Sequence, residues 1–96
     1  MNAMKKIEII VEAVQLPYVI MLIEQLALPG YTIINGVNGR GESGVHDGQG
    51  LDETCENSYI MVICSAQGAE KLTSLAIPLI NKYGGICISS DVLQVE

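Results

Sequence analysis

The succession of apolar segments predicts an α+β domain of the split β-α-β, ferredoxin-like kind. Its order is β-α-β-β-α-β, with an antiparallel four-stranded sheet and both helices on one face. Three observations carry this expectation. Four β-branched apolar runs are spread along 96 residues. Two segments with helical apolar spacing separate the first run from the second and the third from the fourth. A long glycine-rich polar stretch divides the second run from the third.

The first strand reads "KIEIIVEA", residues 6–13, β-branched and largely apolar. Pro17 then suits the first turn of a helix, where its missing N–H is not needed. That helix is expected over 17–28 and stops at Pro29–Gly30. It is apolar nearly all round, which predicts burial on more than one side, the second against another subunit. The second strand covers 31–38 and an irregular segment follows over 39–57. "SYIMVICSA", residues 58–66, is the third strand. The second helix starts near Gly68, with Leu72, Leu75, Ala76, Leu79 and Ile80 on one face and a kink expected at Pro78. "YGG", residues 83–85, ends it, and "ICISSDVLQV" is the fourth strand. The runs "IEIIV" and "YIMVIC" barely alternate, so both sheet faces are expected to be buried, the second against a copy of the chain.

Residues 1–96 are read as one domain. The chain is 49% hydrophobic with no Trp and no Phe, so its core is aliphatic. Its mean hydropathy is +0.36, and that much apolar surface on a small chain predicts a homo-oligomer. The net charge is −6, and Arg40 is the single arginine. That charge lacks the basic footprint of a nucleic-acid binder and disfavours an anionic membrane surface. No apolar run reaches the ~18–20 residues of a membrane span. The segment "MNAMKKIEII" does not read as a signal peptide. Cys55, Cys64 and Cys87 are odd in number and widely spaced, which fits a reducing, cytoplasmic setting rather than a disulfide framework.

Three places could carry chemistry. Gly36, Gly39 and Gly41 surround Arg40 and Ser43 directly after a strand. Glycines permit close backbone approach, and an arginine can grip a phosphate by two hydrogen bonds. Neither a P-loop ending nor a following helix is present, and plain turns use glycine too. The second place is "YGGI", Tyr83, Gly84, Gly85 and Ile86. One glycine is a helix C-cap, and two exceed what a cap needs. The third is the acidic stretch 44–57 with His46, Cys55 and carboxylates. These are metal-ligand types without a ligand spacing, so a solvated loop is the simpler reading. Cys64 and Cys87 sit in apolar strands as small core residues. No nucleophile has an evident base, so no catalytic residue and no enzyme activity are expected.

"GYTIINGVNGRGESG" and "NKYGGICISSDVLQV" resemble the PII-like signalling proteins. The closest likeness is to the branch linked to inorganic-carbon uptake and carboxysomes. The resemblance runs over nearly the whole chain. It implies a homotrimer with its sheets packed inward and adenine nucleotide in the clefts between subunits. It also implies a T-loop, here about 39–57, that changes order with the ligand and touches a partner. Residue by residue, it places Gly36, Gly39, Arg40, Gly41 and Ser43 at the loop base, with Thr32 near the nucleotide. Tyr83, Gly84, Gly85 and Ile86 fall at the B-loop of a neighbouring subunit. The chain departs from the nitrogen-regulating members in having no tyrosine over 39–57 and Ile86 where they place a lysine. Few cations remain for a triphosphate, which points to AMP, ADP or cyclic AMP, with bicarbonate as a further ligand. The implied partner is a bicarbonate transporter or a carboxysome-linked protein, and no cofactor is implied. Two alternatives remain. One is a trimeric metal-responsive protein similar to the copper-tolerance family on this fold, using His46 and Cys55. The other is a small acylphosphatase-like enzyme, which needs an asparagine beside the arginine.

Overall fold

The computed structural model describes residues 1–39 and 56–96. Its elements are β1 (Asn2–Glu12), a 3-10 turn (Ala13–Gln15), α1 (Leu16–Gln25), β2 (Thr32–Val37), β3 (Asn57–Cys64), α2 (Ala66–Tyr83) and β4 (Ile86–Gln94). This is the β-α-β-β-α-β order. The strands form one sheet in the order β2-β3-β1-β4, every neighbouring pair antiparallel.

Register divides each strand into two faces. Ile7 lies opposite Val62 and Ser89, and Ile9 opposite Ile60 and Cys87. Ile7, Ile9, Val11, Ile60, Val62 and Cys64 are at most 1% exposed and meet Val19 and Ile23 of α1 and Leu72 and Ala76 of α2. Full burial of an aliphatic side chain stabilises by about 1.5–3 kcal/mol, so this layer holds the chain together. The alternate residues point away from the helices. Ile10 lies between Tyr59 and Ile86, and Glu8 between Met61 and Ile88. Ile34, Ile86 and Ile88 on this open face are about half exposed. Helices cover one face, and among the described residues nothing covers the other, the face expected to meet a copy of the chain.

Several boundaries also differ from expectation. β1 begins at Asn2 because residues 2–4 pair with β4 alone, a long-range pairing that local pattern does not reveal. α2 begins at Ala66 because the Ser65 side chain accepts a 3.0 Å hydrogen bond from the Gly68 amide, an N-cap. Pro78 stands inside α2 without ending it, and its missing N–H leaves the Ser74 carbonyl without its helical donor. α1 is shorter than expected because it closes in a Schellman turn. The Leu28 amide donates to the Ile23 carbonyl and that of Ala27 to Glu24. Ala27 takes φ 53°, a position that favours glycine. Among the described residues Tyr18 and Met21 stand exposed on the outer side of α1, the side expected to meet another subunit.

Candidate ligand-binding site

The second strand leads to the first glycine group. Between Asn35 and Val37 the pairing with β3 shifts by one residue, and Gly36 occupies the bulge at φ 70°. A side chain there would meet open space, so backbone conformation, not crowding, selects glycine. The base of the strand is fixed by Ser58, fully buried, whose hydroxyl donates to the Asn35 Oδ1 at 3.1 Å. Nearby, the Ala13 amide donates to the Glu56 carbonyl at 2.8 Å, tying the end of β1 to the start of β3. Thr32 and Gly39 are exposed. Arg40, Gly41 and Ser43 lie outside the described residues, as do His46 and Cys55.

The second group is the α2–β4 turn. The Gly84 amide donates to the Ile80 carbonyl at 2.8 Å and closes the helix at φ 87°. Gly85 follows at φ 125°, and a Cβ placed on it would stand 2.4 Å from the Ile10 carbonyl oxygen. Both glycines are thus demanded by the fold. The first caps α2, and the second lets β4 enter the sheet against β1. Tyr83 is 44% exposed, with the Lys82 ammonium 5.2 Å from its ring centroid.

The two groups sit at the same end of the sheet but on opposite edges. Ile34 of β2, Tyr59, Ile10 and Ile86 of β4 form one cross-sheet row on the open face. Three strand spacings put its ends about 14 Å apart. Within one chain the structure therefore does not bring Thr32 and Gly36 together with Tyr83, Gly84, Gly85 and Ile86. A ligand too short to span that distance reaches both groups only where the β2 edge of one copy lies beside the β4 edge of another.

Between the edges lies a polar patch that the sequence pattern did not reveal. The Tyr59 hydroxyl donates to Glu8 Oε2 at 2.5 Å, and the Lys6 ammonium stands 3.8 Å from the same oxygen. The hydrogen bond to Glu8, with burial and the carboxylate charge, holds the Tyr59 pKa above its ordinary value. Among the described residues no three His, Cys, Asp or Glu side chains cluster as a metal site. Cys64 is buried and Cys87 half-buried, and burial pushes both thiol pKa values up, the behaviour of core residues. No helix among the described residues is long and apolar enough to cross a membrane.

An antiparallel four-stranded sheet with two helices on one face and a glycine turn at each edge defines a small ferredoxin-like domain. The particular family follows from the sequence: residues 4–96 match Nitrogen regulatory protein P-II, and the chain belongs to that family. Solved structures agree in fold. CPII, a nitrogen regulatory PII-like protein of Thiomonas intermedia K12 solved with ADP, AMP and bicarbonate, is 20% identical with a TM-score of 0.83. The match covers 99% of this chain and 96% of that one. A PII-like signalling protein of Thermus thermophilus is 21% identical over 94% of this chain and 87% of its own, with a TM-score of 0.75. GlnK of B. subtilis, solved with ATP, is 16% identical over 95% and 84%, with a TM-score of 0.68. No curated protein matches the sequence.

Proposed function

We propose that the protein is a non-enzymatic PII-like regulator that works as a homotrimer. In this reading it binds AMP, ADP or cyclic AMP, with bicarbonate as a further ligand, in clefts between subunits. One observation carries the reading: the two glycine turns occupy opposite edges at one end of the sheet, so a neighbouring copy completes the site. The half-exposed isoleucines of the open face are the surface such a trimer covers. In this reading the backbone amides around Gly36 and Gly39 and the Arg40 guanidinium take the phosphate. Tyr83 to Ile86 of a neighbour close over the nucleoside. Phosphate contact at the loop base shifts the conformational population of the segment 39–57, and a partner protein reads the shift. An inorganic-carbon role, through a bicarbonate transporter or a carboxysome-linked protein, is the setting that this ligand set suits. CPII with ADP, AMP and bicarbonate supports that choice of ligands.

The test is calorimetric titration with AMP, ADP, ATP and cyclic AMP, each with and without bicarbonate. Heat with a mono- or diphosphate, at one ligand per chain or fewer, is expected. Silence with all four sinks the reading. Arg40→Ala is expected to weaken a phosphate-bearing ligand at least about tenfold, the value of one charge-assisted bidentate contact. Undiminished binding removes that role from Arg40.

A further inference from the structure

We propose that the groove between α1 and α2 is a docking site for an amphipathic helix of a partner protein, one with acidic residues at both ends of an apolar ridge. The groove has a volume of about 330 Å³ and is walled by Tyr18 and Met21 from α1 and by Leu75, Pro78 and Tyr83 from α2. Tyr18, Met21, Leu75 and Tyr83 are 44–54% exposed. Contiguous apolar exposure of this kind marks an interaction surface. The helices cover the sheet face opposite the open one, so an oligomer built through the open face leaves the groove outside.

Charge chooses the occupant. On α2, Lys71, Leu75, Pro78 and Lys82 follow one another at i, i+4, i+7 and i+11, a single stripe along the helix. The two lysines stand about 16 Å apart along the axis, at either end of the apolar wall. Among the described residues the ion pairs are Lys5–Asp91 and Lys6–Glu8, and neither rim lysine takes part in them. A chain of net charge −6 thus sets Lys82 in the lining of one apolar groove and Lys71 one helical turn before its Leu75 wall. That arrangement attracts an acidic helix. A second copy docking groove to groove would set these lysines against their own counterparts, and two lysines fall short of the basic cluster that an anionic lipid surface calls for. The groove lining reaches Tyr83, directly before Gly84, so a docked helix touches the turn assigned above to the ligand. The groove proposal does not need that assignment.

The experiment uses the full chain without nucleotide and two labelled amphipathic peptides of about 16 residues, long enough to span the stripe. Both carry a leucine ridge, one with glutamates spaced i and i+11, the other with lysines there. Fluorescence anisotropy is expected to show the glutamate peptide binding at least about tenfold more tightly, with the preference weakening in high salt. The Lys71→Glu, Lys82→Glu double variant is expected to reverse the preference, and Lys5→Glu to leave it unchanged. No binding by either peptide overturns the proposal, as does equal binding by both, or a preference that the double variant leaves unchanged. Two further results also overturn it. Self-association of the wild type lost in Leu75→Glu would make the occupant a second copy. Sedimentation with phosphatidylserine vesicles, lost in the double variant, would make it a membrane. The double variant changes only exposed side chains, so its fold, checked by circular dichroism, is expected to persist.

Discussion

Gly85 packs so closely on β1 that a methyl group added to it would lie 2.4 Å from the carbonyl oxygen of Ile10. The obstacle is backbone, which cannot swing aside as a side chain can. The same residue holds φ 125°, which L side chains rarely adopt. Gly85→Ala therefore meets both strain and a clash, and is expected to cost about 2–4 kcal/mol. Gly36→Ala meets strain alone, since its surroundings are open, and is expected to cost about 1–2 kcal/mol. Urea unfolding of the two variants checks the order. A Gly85 variant as stable as wild type would show that β4 can enter the sheet another way.

Ala27 offers the opposite case. It sits at φ 53° in the Schellman turn that ends α1, where glycine is at ease. Ala27→Gly relieves about 1 kcal/mol of strain and gives back part of it through a freer unfolded chain. A net gain of about 0.5 kcal/mol in urea unfolding is expected, with no change in ligand binding.

Ile88 lies opposite Glu8 on the open face and is half exposed in the single chain. Ile88→Glu sets two carboxylates side by side on the surface that the proposed trimer buries. The variant is expected to keep its circular dichroism and to lose its assembly. Light scattering should then fall from three times the 10.3 kDa chain mass to one. A variant that keeps the wild-type mass would place the interface elsewhere.

The Tyr59–Glu8 hydrogen bond predicts a stability change at alkaline pH. Folding raises the tyrosine pKa, so above the ordinary value near 10 the unfolded chain releases a proton that the folded chain retains. The contribution is complete below that value and is lost as pH rises through the folded pKa. Wild type is thus expected to lose stability more steeply than Tyr59→Phe above pH 10, and the two curves to run parallel at neutral pH. Thermal unfolding across that range checks the difference.

The element order was legible because apolar spacing is local, and each run announces its period within a few residues. Pro17 and the "YGG" sequence marked helix ends by the same local chemistry. What escaped was set by distant partners. The start of β1 at Asn2 depends on β4, nearly a whole chain away. At the candidate site the glycines were legible and the reason for Gly85 was not, because its constraint is the Ile10 backbone. Tyr59 and Glu8 carry no joint signal, being neighbours only across two strands. Ser65 as the cap of α2 was legible in principle, from a serine three residues before Gly68.

The placement of the two glycine turns on opposite edges has a thermodynamic consequence. For any ligand that needs both, each chain brings half of two sites and the whole of none. Such a ligand acts as a cross-link between copies, and its apparent affinity must rise with protein concentration wherever the copies dissociate. By reciprocity the ligand tightens the assembly by the same factor that the assembly tightens the ligand. Dilution then becomes an antagonist, and the amount of protein sets its own sensitivity.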